Sequence, residues 1–168
     1  MASSVDAALD LATALRALRG GALTRAVVSG GSSTANLLAL ESRRGSATEV
    51  LAELRGFYVA DDSPPNENHD DLEPARALRR ALADGHLHAS DVGYACALDL
   101  NASDQGRGLT ALERGLGRFA AAASLDTGQD PLVRAAKACA GLDLSVGASV
   151  GLIIRRGGGS IALAFGRP

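Results

Sequence analysis

The stretch LEPARALRRALADGHLHASDVGYACALDLNASDQGRGLTALERGLG, residues 72–117, decides the fold class. Leu72 to Asp84 carries apolar residues at helical spacing, with Glu73 and Pro74 in its first turn and Gly85 just past its end. Val92 to Leu98 (VGYACAL) is a short run almost without charge, as expected of a strand buried on both faces. Leu109 to Leu116 returns to a helical spacing. Helix, low-charge strand and helix in succession predict a mainly parallel sheet covered by helices.

Working outward, the same alternation continues on both sides. Val5 to Arg19 predicts a helix, capped by Ser3 or Ser4 and ended by Gly20 and Gly21. Thr24 to Ser29 and Phe57 to Val59 predict strands, while Ala35 to Leu54 fits helix or strand equally. Asp61 to Asp71 (DDSPPNENHDD) is the clearest loop. Beyond residue 117 come a predicted strand at Phe119–Ser124 and a helix at Pro131–Ala140. Ala148–Ile154 and Ser160–Phe165 then predict an antiparallel hairpin around Gly157-Gly158-Gly159.

Composition limits the function. In 168 residues, 17 Lys+Arg against 19 Asp+Glu give a net charge of -2, which disfavours non-specific nucleic-acid binding. No apolar run approaches ~18 residues, and the N-terminus lacks the basic and apolar regions of a signal peptide. Two cysteines, Cys96 and Cys139, are too few for a disulfide scaffold, and reduced thiols fit a cytoplasmic protein. Both read as small core residues. His86 and His88 flank one residue in a turn with no third ligand in view, so a solvated turn is the better reading and no metal is expected. His69 beside Asp70 and Asp71 reads the same way. No cofactor is expected either, because Gly157-Gly158-Gly159 precedes a strand rather than a helix. Asp99, Asn101 and Asp104 follow the VGYACAL strand, at the carboxyl end where parallel sheets place their sites.

Taken in order, these segments resemble part of a β-ketoacyl synthase, the condensing enzyme of fatty-acid and polyketide assembly, with the thiolase fold. Residues 72–117 resemble the helix–strand–helix around that family's first catalytic histidine. FAAAASLDTGQDPLVRAAKACAGLDLSVGAS resembles the region of its Lys and Thr-Gly-His motifs, and RRGGGSIALAFGRP its terminal Gly-rich turn and strand. ASSVDAALDLATALRALRGG with TRAVVSGGSS resembles the elbow, helix and strand that follow its nucleophilic cysteine. The resemblance implies an α/β, thiolase-like fold over residues 1–168 as one domain: the elbow helix plus roughly the C-terminal half of a ketosynthase.

The same alignment implies that the family's catalytic groups are replaced. The cysteine falls at Met1, the first histidine at Leu98, the lysine at Ser124 and the second histidine at Gln129. Condensation needs a thiolate to hold the acyl chain and histidines to stabilise enolate and oxyanion, which these residues do not supply. The expectation is therefore a non-catalytic subunit of fatty-acid or polyketide biosynthesis, by analogy with chain-length factors. It would act as a homodimer, or as a heterodimer with a full-length ketosynthase, with an acyl carrier protein as a further partner. The alternative is a repurposed pocket, with Asp99, Asn101, Ser124 and Gln129 as candidate groups. Its chemistry would be that of a dehydratase, cyclase or isomerase on a carrier-bound polyketide intermediate. Helix Val5–Arg19, apolar over a wide arc, would be one of the family's central helices and would need covering.

Overall fold

The structure, a computed structural model, describes residues 4–22, 25–29, 37–41, 52–60, 72–100, 106–117, 134–136, 138–139, 147–155 and 159–167. In chain order the elements are α1 (Ser4–Arg19), β1 (Arg25–Ser29), β2 (Leu37–Glu41), β3 (Glu53–Val59), α2 (Leu72–Asp84), β4 (Val92–Asp99), α3 (Gly106–Leu116), β5 (Ala148–Ile154) and β6 (Ser160–Gly166). Residues 134–136 and 138–139 are also helical, within the span the sequence predicts, while the expected strand at Phe119–Ser124 lies outside the described residues. The ambiguous stretch from Ala35 to Leu54 contains a strand, β2, which pairs antiparallel with β1.

The fold is mixed α/β. The larger sheet has four strands in the order β3-β6-β5-β4, and β1-β2 form a second, two-stranded sheet. Among the described strands the expectation of a mainly parallel sheet is corrected: β4 and β5 run parallel, while β5-β6 and β3-β6 are antiparallel. The cause is the hairpin. Arg155 N–H donates to Gly159 C=O at 3.0 Å, so β6 must fold back along β5. β3 then adds to the far side of β6 in the opposite sense.

Two apolar clusters cover the two faces of this sheet. On one face Ala77, Leu78, Ala81 and Leu82 of α2 and Ala111, Leu112 and Leu116 of α3 pack on Ala95, Ala97, Val150, Leu152 and Ala164. On the other, Ala14 and Leu15 of α1, with Ala135, Ala136 and Cys139, pack on Cys96, Ile153, Ile161, Leu163 and Phe165. α1 also touches β1 and β2, so it lies between the two sheets, where the resemblance expects a central helix. Leu9 and Ala17 are half-buried. Ala12, Ala14, Leu15 and Leu18 are buried, whereas Asp10, Thr13, Arg16 and Arg19 are exposed. The wide apolar arc is thus interrupted by a polar stripe, and the side chain of Leu11 lies outside the described residues.

α3 begins at Gly106, earlier than the expected Leu109. Glycine is a poor helix former, which hid this turn in the sequence. Packing overrides the propensity: a Cβ on Gly108 would sit 3.0 Å from the Ala97 Cβ on β4. A small residue lets the helix lie directly on the strand.

Candidate functional site

The C-terminal end of β4 carries the residues that the resemblance puts at the reaction centre. Successive strand residues point to opposite faces of the sheet. Leu98 sits opposite Ile153 of β5, and Ile153 belongs to the cluster under α1, so Leu98 shares that face with Tyr94 and Cys96. Asp99 sits opposite Ile154, which belongs to the cluster under α2 and α3. Asp99 is 2% exposed. Neighbours in sequence, Leu98 and Asp99 therefore serve opposite layers. Leu100 N–H donates to Ile154 C=O at 3.0 Å, which keeps β4 against β5 to its end. Asn101, Asp104, Ser124 and Gln129 lie outside the described residues.

The face under α1 holds Ser149, Cys139, Cys96 and Tyr94 among apolar side chains. Ser149 donates its hydroxyl to the Ala135 carbonyl at 2.6 Å, and Cys139 Sγ lies 3.0 Å from Ser149 Oγ. The serine proton is committed to Ala135, so the Cys139 thiol is the donor in the second bond. Burial pushes that thiol up, against smaller opposing effects from the Ser149 bonds and from Arg167 and Arg55. A buried, protonated thiol is a poor nucleophile. Cys96, also buried, donates to the Val150 carbonyl at 3.7 Å. Both cysteines are packed as core residues, as the sequence suggests. Tyr94 has its phenol pushed up by burial and by the Cys96 thiol, while Arg134, hydrogen-bonded to it, pulls it down. The sequence gives no warning of the Tyr94–Arg134 contact, because it joins β4 to the helical residues 134–136 across a long separation.

The two histidines of the turn are explained by backbone geometry. His86 is exposed and takes φ 53°, and His88 N–H donates to Asp91 Oδ2 at 2.8 Å, fixing the 3-10 turn Ala89–Asp91 that leads into β4. Among the described residues no three His, Cys, Asp or Glu side chains are grouped to hold a metal ion. Among them, too, no helix is long and apolar enough to cross a membrane.

No protein-family model matches the chain, and no curated protein matches it. Solved structures do. The oxazolomycin ketosynthase domain from Streptomyces albus superposes with a TM-score of 0.74 at 16% identity, over 97% of this chain and 62% of that one. The ketosynthase from module 1 of the bacillaene synthase of Bacillus amyloliquefaciens also gives 0.74, at 13% identity, over 96% of this chain and 44% of that one. The ishigamide ketosynthase/chain length factor gives 0.58 at 17% identity, over 97% and 55%. The chain thus spans between 44% and 62% of the length of these structures. With α1 held between two sheets and β4 ending at Leu98 and Asp99, the chain has the ketosynthase fold, in part.

Proposed function

We propose that this chain is a non-catalytic ketosynthase-like subunit of fatty-acid or polyketide biosynthesis, acting in the cytoplasm by pairing with a full-length ketosynthase or with a second copy of itself. The observation that carries the reading is Leu98. The resemblance aligns it with the family's first histidine, and it lies at the end of β4 on the face turned to α1. An isobutyl group there neither donates a hydrogen bond nor shuttles a proton, so it cannot stabilise an enolate or oxyanion. Gln129, which the resemblance aligns with the second histidine, offers a hydrogen bond but no base of useful strength. The buried, protonated Cys139 thiol supports the same reading, since it is a poor substitute nucleophile. In such a pair the segment from Thr24 to Glu41, which holds β1 and β2, is the contact surface, and an acyl carrier protein is a further partner.

The test is intact-mass spectrometry after incubation with acyl-thioester donors. The expected result is no stable adduct, and Leu98→His does not restore condensation. A stable acyl group on Cys96 or Cys139 overturns the reading.

A second reading draws on Asp99, a carboxylate 2% exposed at a strand end. It makes the chain a dehydratase, cyclase or isomerase on a carrier-bound polyketide, with Asp99 as acid or base and Asn101, Ser124 and Gln129 as further candidate groups. Turnover of such a substrate that is lost in Asp99→Asn would favour it over the first.

A further inference from the structure

Among the described residues β3 is an end strand of the four-stranded sheet, and no described strand of that sheet lies along its outer edge. Exposed edges of this kind invite pairing with another chain. Here two helices from opposite faces of the sheet end at that edge. Asp84, the last residue of α2, accepts the Phe57 N–H on Oδ2 at 3.0 Å. The same carboxylate accepts Arg19, the last residue of α1, at 2.8 Å on Oδ2 and 3.1 Å on Oδ1. The other arm of that guanidinium, Nη2, donates to the Arg55 carbonyl. Arg55 C=O and Phe57 N–H lie two residues apart on one edge, and they are the groups an incoming strand would bond. The Phe57 side chain is covered as well, with the guanidinium carbons of Arg16 and Arg19 at 5.4 and 5.9 Å from its ring centre.

We propose that the Arg19–Asp84 pair is an edge guard: it occupies the outward backbone groups of Arg55 and Phe57 and directs any strand-mediated association of this chain away from the β3 edge of the four-stranded sheet. Two features combine in it. The backbone groups are already bonded, and the charges that bond them are half-exposed, so a docking strand would have to strip both from water. The guard also joins the C-termini of helices that pack on opposite faces, so it stays in place only while both layers are docked.

The test combines residue-resolved amide exchange at Phe57 with light scattering over a concentration series. In the double variant Arg19→Ala/Asp84→Ala, the Phe57 amide should exchange at least tenfold faster, and oligomers larger than the wild-type species should grow with concentration. Asp84→Asn keeps a carbonyl acceptor for Phe57 while removing the ion pair, so it should retain most of the protection. A folded double variant with unchanged Phe57 exchange or unchanged association overturns the proposal. If circular dichroism shows the double variant unfolded, Asp84→Ala alone, which removes the Phe57 acceptor and leaves Arg19 in place, decides by the same two readouts. The comparison is always with the wild-type protein's own state of association. A monomeric wild type therefore counts against the pairing reading above and leaves the edge guard to be judged on the variants.

Discussion

His86 holds the backbone position that glycine fills at the ends of α1 and α3. Gly21 after α1 and Gly117 after α3 have φ of 73° and 70°, and His86 after α2 has 53°. Around His86 the capping bonds are complete, with His86 N–H to Ala83 C=O at 3.1 Å and Leu87 N–H to Leu82 C=O at 2.9 Å. The glycine next to it, Gly85, serves another purpose. It lies against β3, where a Cβ on Gly56 would come 2.1 Å from the Ala81 carbonyl and 2.5 Å from Gly85 N. Reading Gly85 as the cap was thus one residue short of the left-handed position. His86→Gly should raise stability by about 0.5–1 kcal/mol in urea denaturation, since a left-handed side chain is relieved on an exposed site. Gly56→Ala should lower it by about 3 kcal/mol, because the close atoms are backbone and cannot move aside. The Cys139 thiol gives a pH dependence with a definite sign. Its folded pKa lies above the ordinary 9.0, so below pH 9 both states keep the proton and stability is unaffected. Above pH 9 the unfolded thiol ionises first and stability falls. Tyr94, raised above 10.0, extends the loss to higher pH. Thermal melts from pH 8 to 11 should show this decline, less steep in Cys139→Ala.

At the scale of elements, α1 shows what packing adds to a sequence pattern. Leu15 is buried against the larger sheet, whereas Thr13 is exposed on the polar stripe. Leu15→Ala should therefore cost about 2–4 kcal/mol, while Thr13→Ala should stay within about 0.5 kcal/mol, both read from chemical denaturation. α2 was legible to the residue because its period, its first-turn Glu73 and its apolar face agree. β4 was legible from its low charge, and it runs one residue further than expected, to Asp99. The start of α3 was hidden because Gly106 and Gly108 look like a loop until Ala97 is known to lie beneath them.

For the whole molecule, the layering sets the expectation for assembly. α1 is enclosed between two sheets, but Asp10, Thr13 and Arg16 remain open on its polar stripe, so any partner meets charge there as well as apolar surface. Light scattering at micromolar concentration should show a dimer, or a complex with a co-expressed full-length ketosynthase, and Leu11→Arg should weaken it. A folded monomer with no partner bound would defeat the pairing proposal. By itself the sequence determined the identity and order of the main elements, because hydrophobic period and turn residues are local properties. The order of those segments was enough for the ketosynthase resemblance that the superpositions bear out as a fold. Strand direction, the placing of Leu98 and Asp99 on opposite layers, the role of Gly85 and the meeting of Arg19 with Asp84 were decided only by the tertiary structure. Each depends on which residues, far apart in the chain, are brought together when the two faces of one sheet are covered, and no local pattern encodes that.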